Sequence, residues 1–202
     1  RHMKNVPGRK TDMRDAQWIA TLLRAGLLKG SFIPDKTFRE LRHLTRYRKS
    51  IVRDITAQKN RIDKFLQSSG FRFTAFLSDA FGASGRNIIR HLMEYGNISR
   101  EALDRCLKTQ TRKRIDEILI ALNGSLSEHQ RGFLRMIFGH LEALEQHRHT
   151  VEDAITKEIT KHEEALSLLC SIPGIDVTAA AAIIAEIGTD MSAFPDSQHI
   201  CS

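Results

Sequence analysis

The sequence predicts a mainly α protein organised around two long helices. Two apolar seams and the composition carry that expectation. Apolar residues recur at close to 4-3 spacing over residues 37 to 68 and again from about Ser127 to Leu169, the period at which one side of a helix is buried. Only 4 prolines and a 6% aromatic content accompany them, which leans towards helix. With 202 residues, 41% hydrophobic and 27% charged, the chain is long enough to bury a core and too apolar to stay disordered. Compact ends and an extended middle are expected.

Taken in order, residues 1 to 30 hold one helical pattern, starting near Asp12 and running through Ala16, Ile19, Ala20, Leu22, Leu23 and Leu27. Gly26 and Gly30 bracket its end. No strand is evident there, although residues 2 to 8 could be the tail of one. After Pro34, Leu41, Leu44, Ile51, Ile55, Ile62 and Phe65 form a narrow seam, interrupted at Arg48 and near Lys59 and stopped by Ser68, Ser69 and Gly70. Residues 71 to 124 form a small helical insert with a helix around 85 to 95 and a second starting at Ser99-x-x-Ala102. Phe71, Phe73, Phe76 and Phe81 are its expected core. The second seam then runs through Leu134, Ile137, Leu141, Leu144, Val151, Ile155, Ile159, Leu166 and Leu169. Its partner is either the helix at 37 to 68 folded back antiparallel, as a coiled coil, or the same helix in another subunit. His147 and His149, two apart, point to diverging faces and read as exposed side chains.

Charge is distributed unevenly. Residues 1 to 64 hold 17 Lys and Arg against 6 Asp and Glu, a net of +11 within a whole-chain +7, which leaves −4 for the rest. Arg39, Arg42, Arg46, Arg48, Lys49, Arg53, Lys59, Arg61 and Lys64 line the other faces of the first long helix, and only Glu40, Asp54 and Asp63 oppose them. Too few i,i+4 partners exist to neutralise that run, so a polyanion, most simply nucleic acid, is the expected partner. The second long helix is mixed to acidic. Three widely spaced cysteines, Cys106, Cys170 and Cys201, argue against a disulfide framework or zinc module. They read as reduced thiols in a cytoplasmic protein. The longest apolar run, around VTAAAAIIAEIG, is too short and alanine-rich to cross a bilayer.

Two stretches carry chemistry. Asp12 and Asp15 stand three apart at a helix start. Taken alone, they read best as finishing the helix end, where acids satisfy free N–H groups and the dipole. Yet i and i+3 share a face, with Cβ atoms about 5–6 Å apart, so both carboxylates could offer hard oxygen ligands to Mg²⁺. A two-metal site with ions about 3.5–4 Å apart needs further acids from elsewhere. The last stretch, LSLLCSIPGIDVTAAAAIIAEIG, reads as a helix, a tight Pro173-Gly174 turn and a second helix capped by Asp176 or Thr178. It resembles the helix-hairpin-helix motif of non-sequence-specific DNA binders, in which Gly174 would leave N–H groups open to a phosphate oxygen; an ordinary helical turn packing alanines is the plainer reading. No basic residue stands near the turn.

Together, GRKTDMRDAQWIATLLRAGLL, SDAFGASGRNII and the final SIPGIDVTAAAAIIAEIGTDMSAFPDSQHICS are similar to the DEDD-type insertion-sequence transposases, insertion-sequence family one-ten. The resemblance covers essentially the whole chain in order, and Lys-Thr-Asp-x-x-Asp-Ala is its sharpest piece. It implies a RuvC-like domain with four acids, of which Asp12 and Asp15 would be the last two, catalytic and Mg²⁺-binding; a helical coiled-coil insertion; and a carboxy-terminal transposase domain with a nucleophilic serine. It implies DNA and a structured guide RNA as partners, and a homo-oligomer formed through the long helices is expected. The corresponding division is 1–30 as the remnant of the RuvC-like α/β domain, 31–165 as the coiled-coil region with its insert at 71–124, and 166–202 as the start of the transposase domain. Lys10, Arg39, Arg42, Arg46, Lys49, Arg53 and Gly174 are the expected nucleic-acid contacts. The first two acids and the serine fall outside this sequence, and neither Ser197 nor Ser202 replaces that serine. The chain therefore reads as a fragment unable to cleave or join DNA alone. A non-catalytic helical DNA/RNA-binding module is the alternative.

Overall fold

The computed structural model describes residues 12–28, 35–194, 196 and 200. Every regular element among them is helical, as the composition and seams predict. The possible strand tail at residues 2 to 8 lies outside the described residues.

The framework is an antiparallel pair of long helices, α2 (Lys36–Ser68) and α7 (Glu128–Ile159). Asp35 starts α2 by accepting a hydrogen bond from the Phe38 amide at 3.2 Å. Ser127 and Gln130 start α7 with a reciprocal capping box, satisfying two amides that the first turn leaves open. The pairing direction follows from contacts along its length. Phe38 stacks on His162 with ring centroids 4.7 Å apart, Arg48 pairs with Glu152 at 2.7 Å, and Phe65 meets Phe133 at 5.1 Å. Leu41, Ile51, Ile55, Ile62 and Leu66 from one side, and Leu134, Ile137, Leu141, Val151, Ile155 and Ile159 from the other, fill the seam. Each such side chain contributes about 1.5–3 kcal/mol when fully buried. The two seams thus pack on each other within one chain.

One polar side chain interrupts this seam. Gln58 is buried and donates from Nε2 to the Ile137 carbonyl at 2.6 Å, while its Oε1 accepts from Arg61. A buried amide needs a partner, and here both ends of the Gln58 side chain have one.

The insert closes one end of the hairpin with α3 (Ala83–Tyr95), α4 (Arg100–Cys106), the single turn α5 (Thr109–Arg112) and α6 (Ile115–Ile120). Ser99 caps α4 as its spacing predicts, accepting from the Ala102 amide at 3.3 Å. Phe71 and Phe73 are fully buried with Ile88, Ile89, Leu92, Leu103 and Ile118, and Phe76 and Phe81 pack at the margin. Arg86 ties α3 to α7, donating to the Phe81 carbonyl at 2.6 Å and to the Glu145 carboxylate at 2.6 and 2.7 Å. Two close backbone approaches hold the insert in place. A Cβ on Gly85 would stand 1.9 Å from the Ala80 carbonyl oxygen, and one on Gly124 would stand 2.3 Å from that of Ser69.

One predicted element needs correction. The second long helix does not continue from Ser127 to Leu169. It ends at Ile159, passes through a short 3-10 turn at Thr160–His162, and resumes as α8 (Glu163–Cys170). His162 leaves helical geometry, with φ −125° and ψ 40°, where its ring meets Phe38. A continued apolar period cannot report this, because the residues on both sides of the break still face apolar neighbours. The break redirects the chain so that α9 (Val177–Ile187) packs along α2, with Ala180, Ala181, Ile184 and Ala185 buried.

The exposed side of α7 carries Gly132 and Gly139, around which an added Cβ meets nothing within 4 Å. Glycine inside a helix costs about 0.5–1 kcal/mol relative to alanine. Gly132→Ala and Gly139→Ala are therefore expected to raise stability by roughly that amount each, read as an increase in the urea midpoint. Gly85→Ala meets backbone instead and should lower it by about 1–3 kcal/mol.

Candidate nucleic-acid interface

With about 3.6 residues per turn, Arg39, Arg42, Arg46, Lys49, Arg53, Asn60, Arg61 and Lys64 fall within roughly one third of the circumference of α2. The seam residues Leu41, Ile51, Ile55, Gln58, Ile62 and Leu66 occupy the opposite third. Because α7 covers the seam side, the basic arc faces away from α7, and α9 reaches part of it. Asp54 and Glu40 lie to one side of that arc and Asp63 to the other, so no acid of α2 interrupts it.

Two of the cations read from the sequence as part of this surface are placed otherwise. Arg48 turns into the α2–α7 junction, where Glu152 accepts from its Nε at 2.9 Å. Lys59 lies over the Phe81 ring, with Nζ 5.5 Å from the centroid. The interruptions noted at Arg48 and Lys59 mark where long cationic side chains cross the apolar seam and end on a carboxylate or a π face.

Among the expected contact residues, Arg39, Lys49 and Arg53 are exposed, with no carboxylate within ion-pair distance among the described residues. Arg42 and Arg46 are engaged by the end of α9. Arg42 donates from Nε to the Ala185 carbonyl at 3.2 Å and from Nη2 to the Glu186 carbonyl at 2.7 Å. Those carbonyls lie in the last turn of α9, where a helix lacks its own donors and a cation is favoured. Arg46 meets the Glu186 carboxylate in a two-pronged pair, at 2.8 and 2.9 Å. The hydrogen bonds from Arg46 hold the Glu186 carboxyl below the usual carboxylate range, and the nearby Arg42 and Arg46 charges add to this against partial burial. Glu186 itself carried no signal in the sequence. It stands 140 residues from Arg46 on an alanine-rich helix.

The turn between α8 and α9 has the geometry its sequence implies. The Ile175 amide donates to the Ile172 carbonyl at 3.1 Å, with Pro173 at the second position and Gly174 at φ +91°, as a type II turn requires. Gly174 is exposed, and Asp176 caps α9 by accepting from the Ala179 amide at 2.7 Å. That carboxylate stands at the helix start which the sequence offers to a phosphate. The start of α9 and the basic arc meet in one cleft of ~630 Å³, lined by Thr45, Lys49 and Val52 of α2 and by Asp176 and Thr178.

Asp12 and Asp15 open α1 (Asp12–Arg24), with Asp12 exposed and Asp15 half-buried. No third His, Cys, Asp or Glu joins them in a metal-sized group among the described residues. None of the described residues of α1 is buried, and its apolar side chains Met13, Trp18, Ile19 and Leu23 face solvent. Lys10 lies outside the described residues. No helix among the described residues is long and apolar enough to cross a membrane.

Comparison with known families bears on both ends of the chain. No curated protein matches it. A family model for the DEDD domain of IS110, described as a transposase, matches residues 1–70, which include Asp12, Asp15 and all of α2. A second, described as the transposase IS116/IS110/IS902 family, matches residues 166–202, which include the turn at Gly174 and α9. Two models of one transposase family thus match in order at opposite ends, and the helices that carry the two matches pack against each other: the chain belongs to the IS110-type transposases.

Proposed function

We propose that this chain serves a transposase that moves an insertion sequence by DNA strand cleavage and rejoining, and that α2 is its phosphate-gripping element. The observation that carries this reading is the basic arc on the face of α2 opposite the α7 seam, which no acid of α2 interrupts and in which Arg39, Lys49 and Arg53 are exposed. Cations one or two turns apart along a straight helix suit a phosphate backbone, and such contacts position a nucleic acid without reading its sequence. Sequence choice would then fall to another component, and a structured guide RNA that pairs with the DNA would fill that role. The Gly174 turn adds a smaller grip just ahead of the start of α9, which shares a cleft with Lys49. Because α2 and α7 satisfy each other's seams, association of copies through the long helices would engage their outer faces.

Asp12 and Asp15 fit half of a Mg²⁺ site. They share the first turn of α1, remain accessible, and supply the hard oxygen donors that ion prefers. When bound, Mg²⁺ supplies positive charge against the phosphoryl oxygens. The two carboxylates would orient it, and the remaining acids of a four-acid set would complete its coordination. On this reading residues 1–30 belong with a RuvC-like domain, 31–165 form the helical middle and 166–202 open the transposase domain. The chain alone neither cleaves nor joins DNA, since a nucleophilic serine must be supplied to attack the phosphate. A second reading, a non-catalytic helical DNA/RNA-binding module, is favoured by one observation: no third ligand accompanies Asp12 and Asp15 among the described residues.

Two experiments test these readings. Lys49→Ala and Arg53→Ala should each lower the slope of log affinity against log salt by about 1 for duplex DNA, with little effect on which sequences bind. Unchanged slopes in both would remove α2 from the interface. In the complete transposase, Asp12→Asn and Asp15→Asn should each abolish Mg²⁺-dependent strand exchange while leaving DNA binding intact. Retained exchange would leave only the binding module.

A further inference from the structure

The clamp between α2 and α9 has two unlike halves. Arg42 is only 22% exposed, grips main-chain carbonyls and also stands 3.0 Å from the Glu186 carboxylate, whereas Arg46 and Glu186 are 64% and 42% exposed and meet through side chains alone. Moving the Glu186 carboxylate away gives up its pairs with Arg46 and Arg42 but does not unpack α9, because the Arg42 hydrogen bonds to the Ala185 and Glu186 carbonyls and the buried alanines remain in place. A carboxylate held by both prongs of a guanidinium occupies the position that two phosphate oxygens would take. Arg46 also sits seven residues, about two turns, from both Arg39 and Arg53 on the basic arc.

We propose that Glu186 is an internal stand-in for a DNA phosphate: it occupies Arg46 in the free chain, and duplex DNA engaging α2 displaces it and takes Arg46 as a further phosphate contact. The inference rests on the phosphate-gripping reading of α2. It makes Glu186 an autoinhibitory group whose release accompanies binding. Exposed ion pairs are weak and screened, so the exchange is set by competition between one carboxylate and a high local density of phosphates. Arg39, Lys49 and Arg53 make first contact, since no carboxylate occupies them among the described residues.

The test uses the full chain, fluorescein-labelled duplex DNA and anisotropy titrations over a fourfold range of salt. Glu186→Gln removes the competing charge. Glu186→Asp keeps the net charge but shortens the side chain out of two-pronged reach. Both should bind more tightly than wild type, by about threefold at the lower salt, where charge interactions are least screened, and by less at the higher. In an Arg46→Gln background the advantage of Glu186→Asp should vanish and that of Glu186→Gln should fall to the gain given by the loss of one exposed acid. Asp54→Asn, which removes an exposed acid outside the clamp, should keep whatever gain it gives in that background. Tighter binding by Glu186→Gln with Glu186→Asp equal to wild type would reduce the effect to bulk charge and overturn the proposal, as would no change in either. Thermal melts run in parallel separate displacement from unfolding: a loss of binding together with a lowered melting temperature would make the pair structural, which also overturns it. If Lys49→Ala and Arg53→Ala leave the salt slope unchanged, the phosphate-gripping reading itself fails and this inference falls with it. If they lower it while the Glu186 variants behave as wild type, only the stand-in is lost.

Discussion

The antiparallel contact between α2 and α7 is the constraint on which the other features depend. A helix that buries one third of its circumference has fixed where every other side chain points. Burial of Leu41, Ile51, Ile55, Ile62 and Leu66 therefore aims Arg39, Lys49 and Arg53 outward with no further interaction required. Within that seam the one buried polar side chain among the described residues of α2, Gln58, is satisfied by the Ile137 carbonyl and by Arg61, so the contact carries no unpaired amide. The insert and α9 then dock on a rigid frame, one at each end.

Much of this frame was legible in the sequence, because long amphipathic helices announce themselves by period. The start of α2, its stop at Ser68–Gly70, the Ser99 cap and the phenylalanine core of the insert all follow from local chemistry. The end of α7 does not: the break at Thr160–His162 lies where His162 meets Phe38, 124 positions earlier in the chain, and the apolar period runs on through it. The candidate interface divides in the same way. Its exposed cations could be placed by angle around the helix. That Arg42 and Arg46 are held by α9 could not, because Glu186 lies far away in sequence within a run that reads as alanine packing. Arg48 and Lys59 show the intermediate case: their angles place them on the seam, but only the fold supplies Glu152 and the Phe81 ring that receive them.

The two regions that match the transposase family are 1–70 and 166–202, and the structure joins them directly. Arg42, in the first, holds the main chain of Ala185 and Glu186, in the second. A guanidinium bound to backbone carbonyls fixes a helix end in position and direction, whichever side chains surround it. The long middle of the chain thus acts as a spacer whose return path brings the two ends together. Changes in the insert would reach α9 only through the α2–α7 frame.

The opening helix contrasts with that frame. Its apolar stripe includes Trp18, 45% exposed and the chain's only tryptophan. An indole in water emits at longer wavelength than one in an apolar setting, and no second indole overlaps its signal. Whatever comes to cover α1 in a larger assembly would shift that emission towards the blue, so the chain carries an intrinsic optical gauge of the surroundings of Asp12 and Asp15.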